Sequence, residues 1–194
     1  MQSRCLMPLT SKEFADLRNR LFRERVLPHL SSIGFRKCPM GKPYWGAEPH
    51  GGYRYDLCRI NKPKIVEFLT VHMIKKDRGY QIIYYQVAIR QPIEDGDLNQ
   101  IDDLPFRLPP ATATEMRVPP ERWIGNLSWP KPFEISFLRL KTGIGVEKAV
   151  EATVSRIVSE IQRFELYVEY WEATYDPIEF EIQNGVPSLA HEVP

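Results

Sequence analysis

Two runs rich in β-branched and aromatic residues, KIVEFLTVHMIKK from Lys64 and YQIIYYQVAIRQ from Tyr80, are joined by a link too short for a crossover. Parallel neighbours need a connection of a dozen or more residues, whereas Lys75-Lys76-Asp77-Arg78-Gly79 is a polar loop ending in glycine, so the two runs pair antiparallel. YRYDLCRI from Tyr53 precedes them as a third strand and PFEISFLRLK from Pro132 follows as another. Helical periodicity is confined to the two ends of the chain, with no strand-helix alternation between them. This order predicts an α+β single domain, built on one antiparallel sheet of about five strands with the N-terminal and C-terminal helices packed side by side on one face.

The first helix starts at Ser11 as N-cap and carries Phe14, Leu17, Leu21, Leu27, Leu30 and Ile33 on one face. Pro28 removes a backbone donor inside it, which predicts a kink or restart near Val26. Gly34 fits the left-handed position beyond a helix end. Arg18, Arg20, Arg23 and Arg25, interleaved with Glu13, Asp16 and Glu24, predict a solvated, ion-paired face. The closing helix is read as continuous from Val146 through Ile157, Ile161, Phe164 and Trp171 to Ala173. The domain is placed at residues 11–173, with a proline-rich excursion at about 92–131 and an extended tail at 174–194 that leaves the core.

Composition excludes several function classes. Lys plus Arg and Asp plus Glu nearly cancel, to a net charge of +1, which makes nucleic acid an unlikely partner. No run approaches the roughly 18 apolar residues of a membrane span, and no secretory leader is recognisable, so the expected address is cytoplasmic with Cys5, Cys38 and Cys58 reduced. Cys38, His50, Cys58 and His72 lack the close ligand pair of structural zinc sites. Asp95, Asp97 and Asn99 begin a calcium-loop pattern, but Gln100 and Phe106 stand where its glycine and glutamate belong. Gly143 to Gly145 is followed by neither a phosphate-loop lysine nor a third dinucleotide-binding glycine, and is expected to be a tight turn. No metal, cofactor or catalytic residue is expected.

One resemblance accompanies this reading. Ile33, Gly34, Phe35, Arg36 and Lys37 form an (L/I)GF(K/R)K step between the first helix and the strands. With the closing helix, over roughly Glu13 to Glu172, the layout resembles a family of uncharacterised, mainly bacterial domains of unknown function. The resemblance implies the α+β fold and supplies no catalytic residue.

Alternation then selects a site. Leu69, Val71, Met73, Ile83 and Val87 are assigned to an oily sheet face, with Leu69, Val71, Ile83, Val87, Ile157 and Ile161 deeply buried. Thr70, His72, Tyr84, Gln86 and Arg90 are assigned to a mixed face beneath the excursion, which adds Trp123 and Trp129. His72, Tyr84, Gln86, Arg90, Trp123 and Trp129 are therefore the candidate contacts for another protein or a small molecule, and Arg36, Lys37 and Trp45 a secondary patch. The expected function is a non-enzymatic binding or interaction module, immunity-like or adaptor-like. The alternatives are a small-molecule hydrolase or transferase with His72 as base, and a weak nucleic-acid binder.

Overall fold

The computed structural model describes residues 9–39, 43–49, 51–89, 115–120, 133–135, 143–183 and 186–189. Arg90, Trp123 and Trp129 lie outside the described residues, as does most of the excursion.

The first helix, α1 (Ser11–Leu21), is capped by Thr10 rather than Ser11: Thr10 and Glu13 form a reciprocal capping box. A π-helical turn over Phe22–Val26 precedes α2 (Leu27–Ser32), in which Pro28 occupies the first turn. The expected disruption near Val26 is thus a widened turn and a restart, since a proline is tolerated where a new helix has no donor to lose. Gly34 follows at φ 94°, a conformation that side-chain-bearing residues rarely adopt.

The strands are β1 (Arg36–Lys37), β2 (Trp45–Ala47), β3 (Gly52–Lys62), β4 (Ile65–Ile74), β5 (Gly79–Ile89), β6 (Met116–Arg117), β7 (Phe133–Glu134), β8 (Ile178–Gln183) and β9 (Val186–Leu189). The long strands β3, β4 and β5 form an antiparallel meander. The outer edge of β3 is occupied by β2 and then β1, and the outer edge of β5 by β7, β6 and β8 in turn. The expectation that the tail leaves the core is corrected here: β8 pairs in parallel with Val87–Ile89, and β9 pairs with β8.

The closing helix is two helices, α3 (Gly143–Ile161) and α4 (Phe164–Thr174), so the single long helix is also corrected. Tight backbone bonds, Arg163 N–H to Glu160 O and Leu166 N–H to Arg163 O, make the break. Beyond it, Phe164 meets the rings of Phe35 and Tyr84 edge-on, both at 5.3 Å, contacts worth about 0.5–1.5 kcal/mol each beyond their burial. Gly143 belongs to the first turn of α3 instead of a tight loop.

Both helix pairs cover the sheet face that carries Tyr55, Leu57, Leu69, Val71, Met73, Tyr80, Ile82 and Tyr84. Arg18, expected in solvent, is fully buried there. Its guanidinium donates to Gly79 O at 2.6 Å and Ile74 O at 2.9 Å, tying α1 to both ends of the β4–β5 link. The reason is local: the hairpin presents carbonyls toward the helix, and a fork of donors satisfies two of them at once.

Candidate functional site

Register decides which side chains meet. Leu69 lies opposite Tyr84, and Phe68 opposite Tyr85. Tyr84 and Gln86 therefore share the helix side with Leu69, while Thr70 and His72 lie on the far side with Ile83, Tyr85 and Val87. The mixed face expected from alternation is not one surface. The grouping within each strand holds, but the two strands are matched the other way round, because a one-residue change of register exchanges faces. Leu69, Val71, Val87, Ile157 and Ile161 are buried as expected, with Val87 on the far side; Ile83 is half-buried.

Each face carries its own polar cluster. On the helix side Arg59 Nε donates to Glu67 Oε2 at 2.7 Å, and its Nη1 reaches Ile33 O at 2.7 Å and Glu165 Oε1 at 2.8 Å. The guanidinium also lies 4.8 Å from the Phe35 ring centroid and 5.4 Å from that of Phe164. Burial pushes the Glu67 carboxyl up, against the opposing pull of Arg59. Burial pulls the Arg59 guanidinium down, but Glu165 and Glu67 outweigh it and leave the group above its ordinary value. Beside this pair Gln86 Nε2 donates to Tyr84 Oη at 2.7 Å and to Glu172 Oε1 at 3.2 Å, and Lys62 Nζ donates to Glu172. Tyr84 and Gln86 are thus buried beneath α4.

The far side differs. Arg54 and Asp56 of β3 face His72 and Thr70 of β4 across the ladder. Asp56 Oδ1 accepts from Arg54 Nε at 2.7 Å and from Thr70 Oγ1 at 3.0 Å, while Oδ2 accepts from the Tyr44 backbone N–H at 2.9 Å. This carboxylate therefore seats the start of β2. Between β2 and β3 the chain turns sharply, with Gly51 N–H bonded to Glu48 O and Glu48 N–H to Gly52 O. Gly52 stands at φ 117°, and a Cβ there would lie 2.5 Å from Met73 O, so only glycine lets this turn press against β4. The turn places Glu48 Oε1 3.9 Å from His72 Nδ1. Burial, and then Arg54, lower the His72 pKa more than Glu48 and Asp56 raise it, which keeps the imidazole neutral.

At the rim, Tyr44 and Trp45 straddle the sheet edge. Arg54 lies 5.0 Å from the Tyr44 ring centroid on the far side, and Trp45 meets Tyr55 edge-on at 5.3 Å on the helix side. They are 38% and 41% exposed, whereas Trp171 is fully buried. Of the secondary patch, Trp45 thus reaches this rim; Lys37 is exposed on β1 and Arg36 half-buried there. Glu48, Arg54, Asp56, Tyr85 and Glu115 were not selected from the sequence; the alternation of Arg54 and Asp56 in YRYDL was the available signal, and it needed the register to be used.

Cys58 faces Phe68 and not His72, so no thiol-imidazole pair forms between them. Among the described residues no group of His, Cys, Asp and Glu could hold a metal ion, and no helix is long and apolar enough to cross a membrane. Comparisons with family models, curated proteins and solved structures find no match to this chain.

Proposed function

We propose that the chain is a non-enzymatic binding module that engages a partner protein through the β2 edge and the adjoining far-side cluster. The observation that carries this reading is the rim itself: Tyr44 and Trp45 are exposed aromatics on the two sides of the β2 edge, and the Arg54 guanidinium lies over the Tyr44 ring. Tyr, Trp and Arg are the residue types that dominate the energetics of protein interfaces. The far-side cluster behind them offers polar groups for orientation. The resemblance to domains without assigned catalytic residues fits the same reading.

The test begins with a partner captured from the native host and identified by mass spectrometry, followed by calorimetric titration. Trp45→Ala weakens binding by about 30-fold, the scale of a 2 kcal/mol hot spot, while the unfolding midpoint stays near that of the parent chain. Leu166 and Tyr170, exposed together on α4, supply the control: Leu166→Ala leaves affinity unchanged. Loss of affinity in Leu166→Ala with full binding by Trp45→Ala refutes the assignment.

A hydrolytic reading draws on His72, a neutral imidazole beside Glu48. Its weakness is the absence, among the described residues, of a hydroxyl or thiol bonded to that imidazole; Thr70 Oγ1 is bonded to Asp56. Turnover of a panel of activated esters and phosphoesters that is lost in His72→Gln would favour it over the binding module.

A further inference from the structure

Tyr85 is 3% exposed, and its hydroxyl has no hydrogen-bond partner among the described residues. Its ring is fixed by stacking on Phe68, with centroids 5.0 Å apart and planes within 5°, so packing alone determines where the hydroxyl points. Register sets Tyr85 on the far side with Thr70, whose hydroxyl is bonded to Asp56, and extending the Tyr84–Met116 pairing by one residue sets Glu115 opposite it. In keeping with this, besides burial, Cys38, Asp56 and Glu115 act on its ionisation in one sense and Arg54 in the other. An orphaned hydroxyl in such a place is uncommon, because buried polar groups are nearly always bonded.

The groups around it differ in how far they are satisfied. Asp56 is engaged with Arg54, Thr70 and the Tyr44 backbone. Glu115, just ahead of β6, makes no hydrogen bond or ion pair among the described residues, and burial pushes its carboxyl up despite Arg54. Two carboxylates, Asp56 and Glu115, and the Arg54 guanidinium thus act on the Tyr85 hydroxyl. Glu48 adds a third carboxylate nearby, beside a neutral His72. Arg36 and Arg117 also lie on this face, each with interactions of its own. A half-buried carboxylate short of donors, beside a phenol oxygen with free lone pairs, is complemented by a group that carries several N–H donors and a positive charge.

We propose that Tyr85, Glu115 and Asp56 form a subsite for one cationic nitrogen group, the ammonium or guanidinium of a lysine or arginine side chain on the partner. Glu115, with no cation bonded to it among the described residues, supplies the charge, the Tyr85 oxygen a second acceptor, and Tyr44, stacked under Arg54, an aromatic flank. The nature of the ligand rests on the binding reading above; the existence of the subsite does not.

The probe is n-butylammonium chloride, titrated into the full chain and followed by amide chemical shifts, with n-butanol as the uncharged control. Saturable shifts at Arg54 to Asp56, Tyr85 and Glu115 with butylammonium, absent with butanol, are expected. Glu115→Gln, which keeps the shape, weakens that binding about tenfold, and Tyr85→Phe weakens it by a smaller factor. No saturable shift at these residues, equal shifts with butanol, or unchanged affinity in Glu115→Gln overturns the subsite. Trp45→Ala still binds butylammonium, so failure of the partner assignment and failure of the subsite give different results. Competition distinguishes a side chain from a free amine: butylammonium displaces the partner if the partner's own cation fills the subsite, and a ternary complex overturns that assignment.

Discussion

The two polar clusters lie back to back on β3 and β4, and they are built to opposite ends. On the helix side Arg59 bonds to Glu67, Glu165 and the end of α2 while two rings enclose it, so one residue joins sheet, α2 and α4. Two atoms of that pair, Arg59 Nη2 and Glu67 Oε1, are buried without a hydrogen bond among the described residues, but they are enclosed by the sheet and α4. On the far side Asp56 is equally well bonded, Glu115 and the Tyr85 hydroxyl have no bonded partner among the described residues, and the neighbouring sheet edge is open at Tyr44 and Trp45. A buried ion pair that clamps elements together is a structural device, costly to halve. Unbonded groups beside exposed aromatics at an open edge are what the proposed binding surface draws on.

The largest expected effect falls on the clamp. Arg59→Ala leaves Glu67 buried without its cation and lowers unfolding free energy by about 3–5 kcal/mol in urea titration. A cost near that of an exposed salt bridge, below about 1 kcal/mol, would break the contrast. Replacing both partners by apolar residues, Arg59→Met with Glu67→Leu, recovers most of the loss.

Next in size is Asp56→Ala, which removes the acceptor of three hydrogen bonds and loosens β2. A loss of about 1–3 kcal/mol is expected, together with faster amide exchange at Trp45 to Ala47. If β2 keeps its protection, Asp56 does not seat the rim.

The far side also titrates. Because the folded-state pKa of His72 lies below its usual 6.5, the unfolded chain holds a proton that the folded chain does not in the window just below that value. Stability therefore falls as pH drops through that window. His72→Gln flattens the pH dependence of the urea midpoint there, and an unaltered slope contradicts the assignment.

The smallest effect is the sharpest comparison. Tyr80 donates its hydroxyl to Arg18 O at 3.0 Å, so Tyr80→Phe costs about 1 kcal/mol. Tyr85→Phe removes a hydroxyl that bonds nothing among the described residues, and stays within about 0.5 kcal/mol of the parent chain. Equal costs would show that the two buried tyrosines are alike.

Much of the fold was legible because local rules decide it. The short polar link at Lys75 to Gly79 forces the hairpin, Gly34 ends the helix, and Pro28 restarts it. The helix break at Gln162–Arg163 was not, since the apolar spacing from Val146 to Trp171 runs through it and the turn is driven by where Phe164 packs. Arg18 was misplaced for a similar reason: its ligands are carbonyls more than fifty residues away, which no local pattern reports. The site suffered most from register. Alternation sorted Thr70 with His72 and Tyr84 with Gln86 correctly within each strand, but only the pairing of Leu69 with Tyr84 reveals that the two sets back onto each other.

If the open, far-side cluster and its aromatic rim are the contact surface, hydrogen exchange of the chain alone and with its captured partner shows slowed exchange at Tyr44 to Glu48 and Tyr53 to Asp56, with α4 unchanged. Protection confined to α4 around Leu166 and Tyr170, with the β2 edge exchanging as in the free chain, would contradict it.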